Sequence, residues 1–198
     1  MTHFCSPDPH LTIERQKLID DLQTFSLRKG EEFTLASGQK SNIYIDVKQT
    51  MLYGPAMHNL AKLLHNHAEL FGRYDAVAGV PLGGSHLATM VAMYNPPRHV
   101  VLVRKGVKDH GTQKLVEAPP ISGTKVILFE DVITTGQSAI KAAKILQENS
   151  FDIKGIVAVV DRRAEKSRTL GDYGFVALVD FQELLEDVNA QESQQVST

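Results

Sequence analysis

The chain has 198 residues, of which 42% are hydrophobic and 22% charged, a balance typical of one soluble globular domain. Its formal net charge of −2 excludes the general basic field of a non-specific nucleic-acid binder, so no nucleic-acid partner is expected. A single cysteine, Cys5, cannot form an internal disulfide and favours a reducing compartment. No apolar run approaches the roughly 18 residues of a membrane span, and residues 1–10 contain no apolar signal segment. We therefore expect a cytoplasmic protein with no membrane partner.

The N-terminal part of the chain predicts a helix followed by a small hood. Apolar residues interleaved with charges over residues 11–28 predict an amphipathic helix that ends before Gly30. Two β-prone runs within residues 32–46 flank a Ser-Gly turn, which predicts a hairpin-like hood. Strand alternation turns Ile43 and Ile45 to one side and Tyr44 to the other. Tyr44 on an open face could lie against a flat ring, although a half-buried strand edge is the simpler interpretation.

From Tyr74 onward, strands and helices alternate, which predicts an α/β fold with a parallel sheet covered by helices. A helix over residues 55–70 precedes this region, and its histidines lack partners at metal-ligand spacing, so no metal site is expected there. Five apolar strands are predicted, at residues 76–80, 99–103, 126–129, 156–160 and 175–179, with a last helix at 181–188 and a polar tail from Asn189. Polar segments follow four of the strands, at residues 81–85, 104–105, 130–138 and 161–162. Because parallel strands end at one edge of the sheet, these segments should meet there.

The segment over residues 126–138 carries the strongest chemical signal. A buried strand leads into two acids, then a loop of hydroxyl residues and glycine, then a helix, an arrangement that presents backbone N–H groups to an anion. Glu130 and Asp131, at the end of the strand, would accept hydrogen bonds from sugar hydroxyls, so the pattern indicates a phosphorylated ribose. An ordinary turn with a capping threonine and two solvated acids explains the small residues alone about as well. The segment is neither a Walker A loop nor a dinucleotide fingerprint.

A cationic, glycine-containing segment over residues 104–111 follows the second strand. Roughly twenty residues separate Val103 from Val126, and connections of that length are usually functional or disordered. The functional interpretation is a lid, about residues 104–118, that closes cations over a dense negative charge. A solvated charged loop is the commoner explanation for an isolated run of this kind.

Residues 130–138, Glu-Asp-Val-Ile-Thr-Thr-Gly-Gln-Ser, resemble the phosphoribosyl diphosphate (PRPP) motif of type I phosphoribosyltransferases. Residues 104–111, Arg-Lys-Gly-Val-Lys-Asp-His-Gly, closely resemble the catalytic loop of the orotate phosphoribosyltransferase family. With residues 33–41 and the pair Asp161-Arg162, the resemblance spans most of the chain from about Glu32 to Arg163.

This resemblance implies the type I phosphoribosyltransferase fold, with a mainly parallel five-stranded sheet in a single domain over residues 1–198. A small hood would comprise about residues 1–50 together with the C-terminal segment. The implied reaction transfers the 5-phosphoribosyl group from PRPP to orotate, giving orotidine 5′-monophosphate and diphosphate in de novo pyrimidine (UMP) biosynthesis. The implied cofactor is Mg²⁺, held mainly by PRPP with no direct protein ligand. The implied assembly is a homodimer in which the lid reaches the neighbouring subunit's site.

The resemblance also assigns roles to individual residues. The acids would hold the ribose hydroxyls, the loop after them would cradle the 5′-phosphate, and the lid cations would contact the diphosphate. Lys108, His110 and Asp131 are the implied catalytic residues. The implied PRPP-binding residues are Arg104, Lys105, Lys108, His110, Glu130, Asp131, Val132, Ile133, Thr134, Thr135, Gly136, Gln137 and Ser138.

On the orotate side, Arg162 would pair with the substrate's carboxylate, a role suited to a planar guanidinium. Thr134 and the backbone around Ser37 would complete the pocket, with Tyr44 as a candidate ring contact. Two departures concern lysines of some relatives, replaced here by Ala36 and Gly83, which would make PRPP binding depend more on the lid cations. A purine-type phosphoribosyltransferase and a non-catalytic, RNA-binding PRPP sensor remain as alternatives; Arg162 and the lid disfavour the first, and the net charge disfavours the second.

Overall fold

The computed structural model describes residues 9–34, 40–96, 99–104, 106, 114–119 and 123–186. Helix α1, Pro9–Asp21, continues into a π-helical turn, Leu22–Ser26, and strand β1, Leu27–Thr34, follows directly. The prediction of helix up to Arg28 is therefore wrong at its end. Leu27 is extended and pairs with Ile45, and Arg28 pairs with Tyr44, so hairpin pairing outweighs the local helical pattern.

The hood is an antiparallel hairpin of β1 with β2, Lys40–Ile45. Its predicted Ser-Gly turn lies outside the described residues. Helix α2, Val47–Met51, begins at once, because the Asp46 side chain accepts the N–H of Lys48 and caps it. Helix α3, Gly54–Ala68, then leads towards the sheet.

The central sheet has seven strands, and its middle five are parallel, which confirms the predicted mainly parallel five-stranded arrangement. Two-residue antiparallel strands lie at its edges. The strands are β3, Ala76–Gly79; β4, His99–Val103; β5, Val116–Glu117; β6, Lys125–Ile133; β7, Asp152–Asp161; β8, Thr169–Leu170; and β9, Tyr173–Asp180, in the spatial order β5-β4-β3-β6-β7-β9-β8. Helices α4, Gly83–Tyr94, and α5, Gln137–Glu148, connect them, and residues 181–186 are helical.

Helices cover both faces of the sheet, as the apolar strands predict. Alternate residues of β6 divide between two buried clusters: Ile127 and Phe129 face α1, α3 and α4, whereas Val126 and Leu128 face α5. Within the described part of the chain, no helix is both long and apolar enough to cross a membrane.

Strand order reverses between β3 and β6, because β4 and β5 lie on one side of β3 and strands β6 to β9 lie on the other. Loops on either side of such a reversal diverge at the carboxyl ends of the strands and leave a crevice there. The glycine loop after β3, residues 81–85, and the acidic segment of β6 meet at this position, with Val80 donating its N–H to the carbonyl oxygen of Phe129.

Candidate functional site

A cleft of about 530 Å³ opens at the strand-order reversal. It lies between the hood, the glycine loop and the carboxyl ends of β6 and β7. The described residues that line it are Tyr44, Ile45, Lys48, Val80, Pro81, Glu130, Asp131, Val132, Ile133, Thr134, Thr135, Gly136, Gln137, Ser138, Ala139 and Arg162. The cleft therefore brings together residues that are far apart in the chain: the acidic pair Glu130 and Asp131, the hydroxyl loop of residues 134–138, Tyr44 and Arg162.

The hydroxyl loop ends at the first turn of α5. Gly136 caps this helix with a left-handed backbone, φ +78°, and a Cβ there would lie 1.9 Å from the Leu170 Cδ2 atom. Only glycine fits this position without displacing Leu170. Thr134, Thr135 and Ser138 are exposed, so their hydroxyls and the helix N-terminus face the cleft together. This is a neutral cradle of hydrogen-bond donors of the kind that binds phosphate.

The acidic pair lies inside β6, not at its end. The ladder with β7 continues past Glu130 to Ile133, so the prediction that the acids mark the end of the strand is wrong. Glu130 is buried, and Asp131 is half-buried. The Asp131 Oδ1 atom accepts the N–H of Val132 at 2.9 Å, which fixes the direction of the carboxylate.

The backbone of the glycine loop presses against Asp131 from the other side. A Cβ at Gly83 would lie 2.2 Å from the Asp131 Oδ2 atom. A lysine at this position would therefore have to displace the carboxylate. The departure at Gly83 is consistent with this close packing, whereas Ala36 lies outside the described residues.

The hood contributes Tyr44 and Lys48 to the cleft. Tyr44 stacks on Phe33 with ring centroids 5.2 Å apart, which holds the phenol ring at the open face of the hairpin. The Lys48 Nζ atom lies 2.5 Å from the Asp46 Oδ1 atom and 3.7 Å from the Asp131 Oδ2 atom. Sequence reasoning missed Lys48, although its position two residues after Asp46, at the base of a predicted hood, was the available signal.

The charges around Lys48 reinforce one another. Burial alone would lower the pKa of Lys48, but its hydrogen bond to Asp46 and the nearby Asp131 charge raise the pKa above its usual value. Burial would likewise raise the pKa of Asp46, yet hydrogen bonds from Lys48 and Gln49 lower it overall. Lys48, which lines the cleft, is thus held in its ionised form by the ionised carboxylate of Asp46.

Arg162 stands beside the hydroxyl loop. Its N–H donates to the Ile133 carbonyl oxygen at 2.7 Å, and its guanidinium carbon lies 4.2 Å from the centroid of the Phe181 ring. Burial lowers the pKa of Arg162, although a guanidinium stays charged at neutral pH. Among the described residues, no acidic side chain forms an ion pair with Arg162. Its charge is therefore directed at a cleft that has room for an anion.

Arg104 lies outside the main cleft. It borders a smaller cavity of about 290 Å³ that shares Pro81 and Ser138 with the cleft, and its guanidinium forms an ion pair with Glu117. Strand β5 carries Glu117, so the predicted loop has structure of its own near its end. Lys105, Lys108, His110 and Ser37 lie outside the described residues, as does most of the predicted lid.

The described residues include no group of three or more histidine, cysteine or acidic side chains that could hold a metal ion. The carboxylates of Glu130 and Asp131 nevertheless supply hard oxygen atoms at the cleft. These residues fit a Mg²⁺ ion that takes most of its oxygen ligands from a bound substrate and from water.

No protein-family model matches the chain. A curated relative from Pyrococcus horikoshii, named orotate phosphoribosyltransferase, is 40% identical over 165 residues, which cover 80% of this chain and 88% of the relative. The chain belongs to the orotate phosphoribosyltransferase family. The orotate phosphoribosyltransferase of Mycobacterium tuberculosis has a TM-score of 0.74 at 28% identity, covering 86% of this chain and 98% of the other. A structure of that enzyme in complex with PRPP, at 24% identity and a TM-score of 0.70, agrees in fold over 86% and 98% of the two chains.

Within the orotate phosphoribosyltransferase family, the cleft described above occupies the strand-order reversal of the shared fold. Of the residues that the sequence assigned to the site, those in β6, the hydroxyl loop, β2 and the start of the segment after β7 come together. Arg104 is the one described member that does not line this cleft.

Proposed function

We propose that this protein transfers the 5-phosphoribosyl group from PRPP to orotate in the cleft between the hood and the sheet, releasing diphosphate in pyrimidine biosynthesis. The observation that carries the proposal is the side-by-side placement of the hydroxyl loop and Arg162. A phosphate cradle and a cation for a carboxylate stand on neighbouring strand ends, joined by the hydrogen bond from Arg162 to Ile133. Family membership supports this reaction, and the M. tuberculosis enzyme has been solved with PRPP.

The hydroxyl loop, residues 134–138, would hold the 5′-phosphate through its backbone N–H groups and hydroxyls. Val132 and Ile133 would pass beneath the sugar. Glu130 and Asp131 would accept hydrogen bonds from the ribose hydroxyls, and the fixed direction of Asp131 supports this role. Thr134, Tyr44 and Arg162 would bound the orotate ring and its carboxylate.

The reaction breaks the bond between C1′ of the ribose and an oxygen of the diphosphate. Positive charge then develops on the ribose, where Asp131 can stabilise it, and negative charge develops on the leaving group. We assign the second charge to Arg104, Lys105, Lys108 and His110. Orotate attacks C1′ through its ring nitrogen as the anion, after that nitrogen has lost its proton to solvent, so we assign Lys108 and His110 to the leaving group and not to base catalysis.

Mg²⁺ fits this proposal as a cofactor that arrives with PRPP. Glu130 and Asp131 would face it through the ribose hydroxyls, and when bound it would neutralise charge on the diphosphate. The remaining contacts to the diphosphate come from the chain itself.

Arg104 must exchange partners to take part. In this structure its guanidinium is paired with Glu117, and Arg104 borders the smaller cavity and not the main cleft. A diphosphate offers a denser negative charge than one carboxylate, so we propose that substrate binding draws Arg104 away from Glu117.

Three further proposals concern the whole chain. We propose one domain over residues 1–198, a homodimer in which residues about 104–118 cover the neighbouring subunit's site, and a cytoplasmic location. The lone cysteine and the composition support the last, and family resemblance supports the first two.

The deciding experiment mixes purified protein with PRPP, Mg²⁺ and one base at a time, and measures diphosphate release. Orotate should support release, whereas adenine, hypoxanthine and xanthine should not. Release with a purine alone would assign the chain to the purine-type alternative. Tight PRPP binding without release for any base would assign it to a PRPP sensor.

A further inference from the structure

Lys48 and Arg162 are the two cations among the described residues that line the main cleft. Three carboxylates stand against them: Glu130 and Asp131 line the cleft, and Asp46 contacts Lys48. PRPP carries several negative charges, and carboxylates without compensating cations would repel it. Lys48 contacts Asp46 and lies close to Asp131, so it offsets part of that repulsion.

Among the described residues, Lys48 is the cation that lies within ion-pair distance of Asp131. The glycine loop blocks one side, since its backbone lies against the carboxylate and has no room for a side chain at Gly83. Lys48 approaches from the hood, and its ammonium lies 3.7 Å from the Asp131 Oδ2 atom, beyond ordinary hydrogen-bond length. At that separation an oxygen of a ligand can contact the ammonium while the attraction to Asp131 remains.

The attachment of Lys48 to Asp46 makes it a directed cation. Asp46 caps α2 through the backbone N–H of Lys48 and pairs with the side chain of the same residue. The base of the lysine and its tip are thus both held by one carboxylate. Such preorganisation reduces the side-chain entropy lost when an anion binds.

We propose that Lys48 is a substrate-binding residue that contacts an anionic oxygen of PRPP beside the ribose. The proposal rests on the proposed function, since it takes PRPP as the ligand. Arg162 serves the orotate side, so the two cations divide the two substrates between them.

The test compares Lys48→Met and Lys48→Arg with the control Lys154→Met. Lys154 also follows an aspartate by two residues, its Nζ atom lies 3.6 Å from the Asp152 Oδ2 atom, and its side chain is 34% exposed against 38% for Lys48. It lies near the amino-terminal end of β7, whereas the cleft lies at the carboxyl ends of the strands. The control therefore removes a comparable lysine–aspartate pair without touching the site.

For Lys48→Met we expect the KM for PRPP to rise roughly tenfold or more, because one charge-assisted hydrogen bond is lost. The KM for orotate should stay within about twofold of the wild-type value. Calorimetric titration with PRPP and Mg²⁺ should show a matching rise in the Kd for PRPP. Lys48→Arg should restore most of the affinity, and Lys154→Met should match the wild type.

Unchanged PRPP affinity in Lys48→Met would overturn the proposal. So would equal losses for both substrates accompanied by a lower Tm, which would make Lys48 a purely structural residue. A wild type that binds PRPP but does not react with orotate would refute the proposed function alone, because the titration still tests Lys48.

Discussion

Among single residues, Arg162 is the one that we propose distinguishes a carboxylated acceptor from an uncharged base. Its guanidinium lies over Phe181 and beside the hydroxyl loop, and its backbone N–H is tied to Ile133. The guanidinium carbon lies 4.2 Å from the centroid of the Phe181 ring, a cation–π distance that holds the side chain at the cleft. This position is consistent with the proposed pairing of Arg162 with a carboxylate.

We predict that Arg162→Ala weakens orotate far more than PRPP. A charge-assisted hydrogen-bond pair contributes about 1.5–3 kcal/mol, so the KM for orotate should rise roughly ten- to 150-fold while the KM for PRPP changes little. Steady-state kinetics with each substrate varied in turn measures both values. Arg162→Lys keeps the charge but loses the planar guanidinium, so its KM for orotate should lie between those of the wild type and Arg162→Ala. Equal losses for both substrates would place Arg162 outside the orotate pocket.

At the scale of elements, the segment after β7 is held by a compact ion-pair network. Arg163 donates to both carboxylate oxygens of Asp161 and also to the carbonyl oxygens of Ser167 and Thr169. The Asp161 and Arg163 side chains are only 8% and 12% exposed. The network holds the loop that begins at Arg162, so it supports the part of the cleft that Arg162 lines.

We predict that Arg163→Ala lowers the free energy of unfolding by about 3 kcal/mol, because it leaves the buried Asp161 carboxylate without its main partner. Denaturant titration measures the loss. Arg73→Ala is the matched control: Arg73 is 88% exposed and lies 3.9 Å from Asp75, so its removal should leave stability unchanged. A loss for Arg163→Ala no greater than for the control would show that the network contributes nothing to the fold.

Local pattern was sufficient for the type and order of most elements, because apolar strands and helical spacing are properties of short segments. It failed where a distant partner decides the outcome. Strand β6 continues through the acids because β7 is there to pair with it, and Leu27 leaves the helix because β2 is there to pair with it. The position of Lys48 in the cleft and the pairing of Arg104 with Glu117 were not predicted for the same reason, since both depend on contacts that form only in the folded chain. Gly136 and the hydroxyl loop, by contrast, are a local motif and were found from sequence.

At the scale of the whole molecule, one titrating side chain lies within the packing of α3. The ring of His67 donates from Nδ1 to the carbonyl oxygen of Leu63, a fully buried core residue. Burial lowers the pKa of His67, and the nearby charge of Arg15 lowers it further. The hydrogen bond to Leu63 raises the pKa but does not outweigh these two effects. The neutral ring is therefore the native form.

We predict that stability falls as pH is lowered through the ordinary histidine pKa of about 6.5. Below that value the unfolded chain takes up a proton at His67 that the folded chain does not, so unfolding is favoured; above it the two states bind equally and stability is full. Denaturant titrations at pH 7.5 and 5.5 measure the difference. His67→Gln should reduce this pH dependence, and His58→Gln, an exposed histidine on the same helix, should not. The same change in unfolding free energy between pH 7.5 and 5.5 for the wild type and His67→Gln would contradict the prediction.

The backbone hydrogen bond between Arg162 and Ile133 has a consequence for the design of inhibitors. Because β6 and β7 form one continuous ladder up to Ile133 and Asp161, the distance from the phosphate cradle to the guanidinium is built into a rigid scaffold. A bisubstrate compound that joins a ring carboxylate to a ribose phosphate should gain most from a stiff spacer matched to that distance, since a flexible spacer must be frozen on binding. A spacer of the wrong length would leave one anion unpaired, for the sheet cannot stretch to meet it.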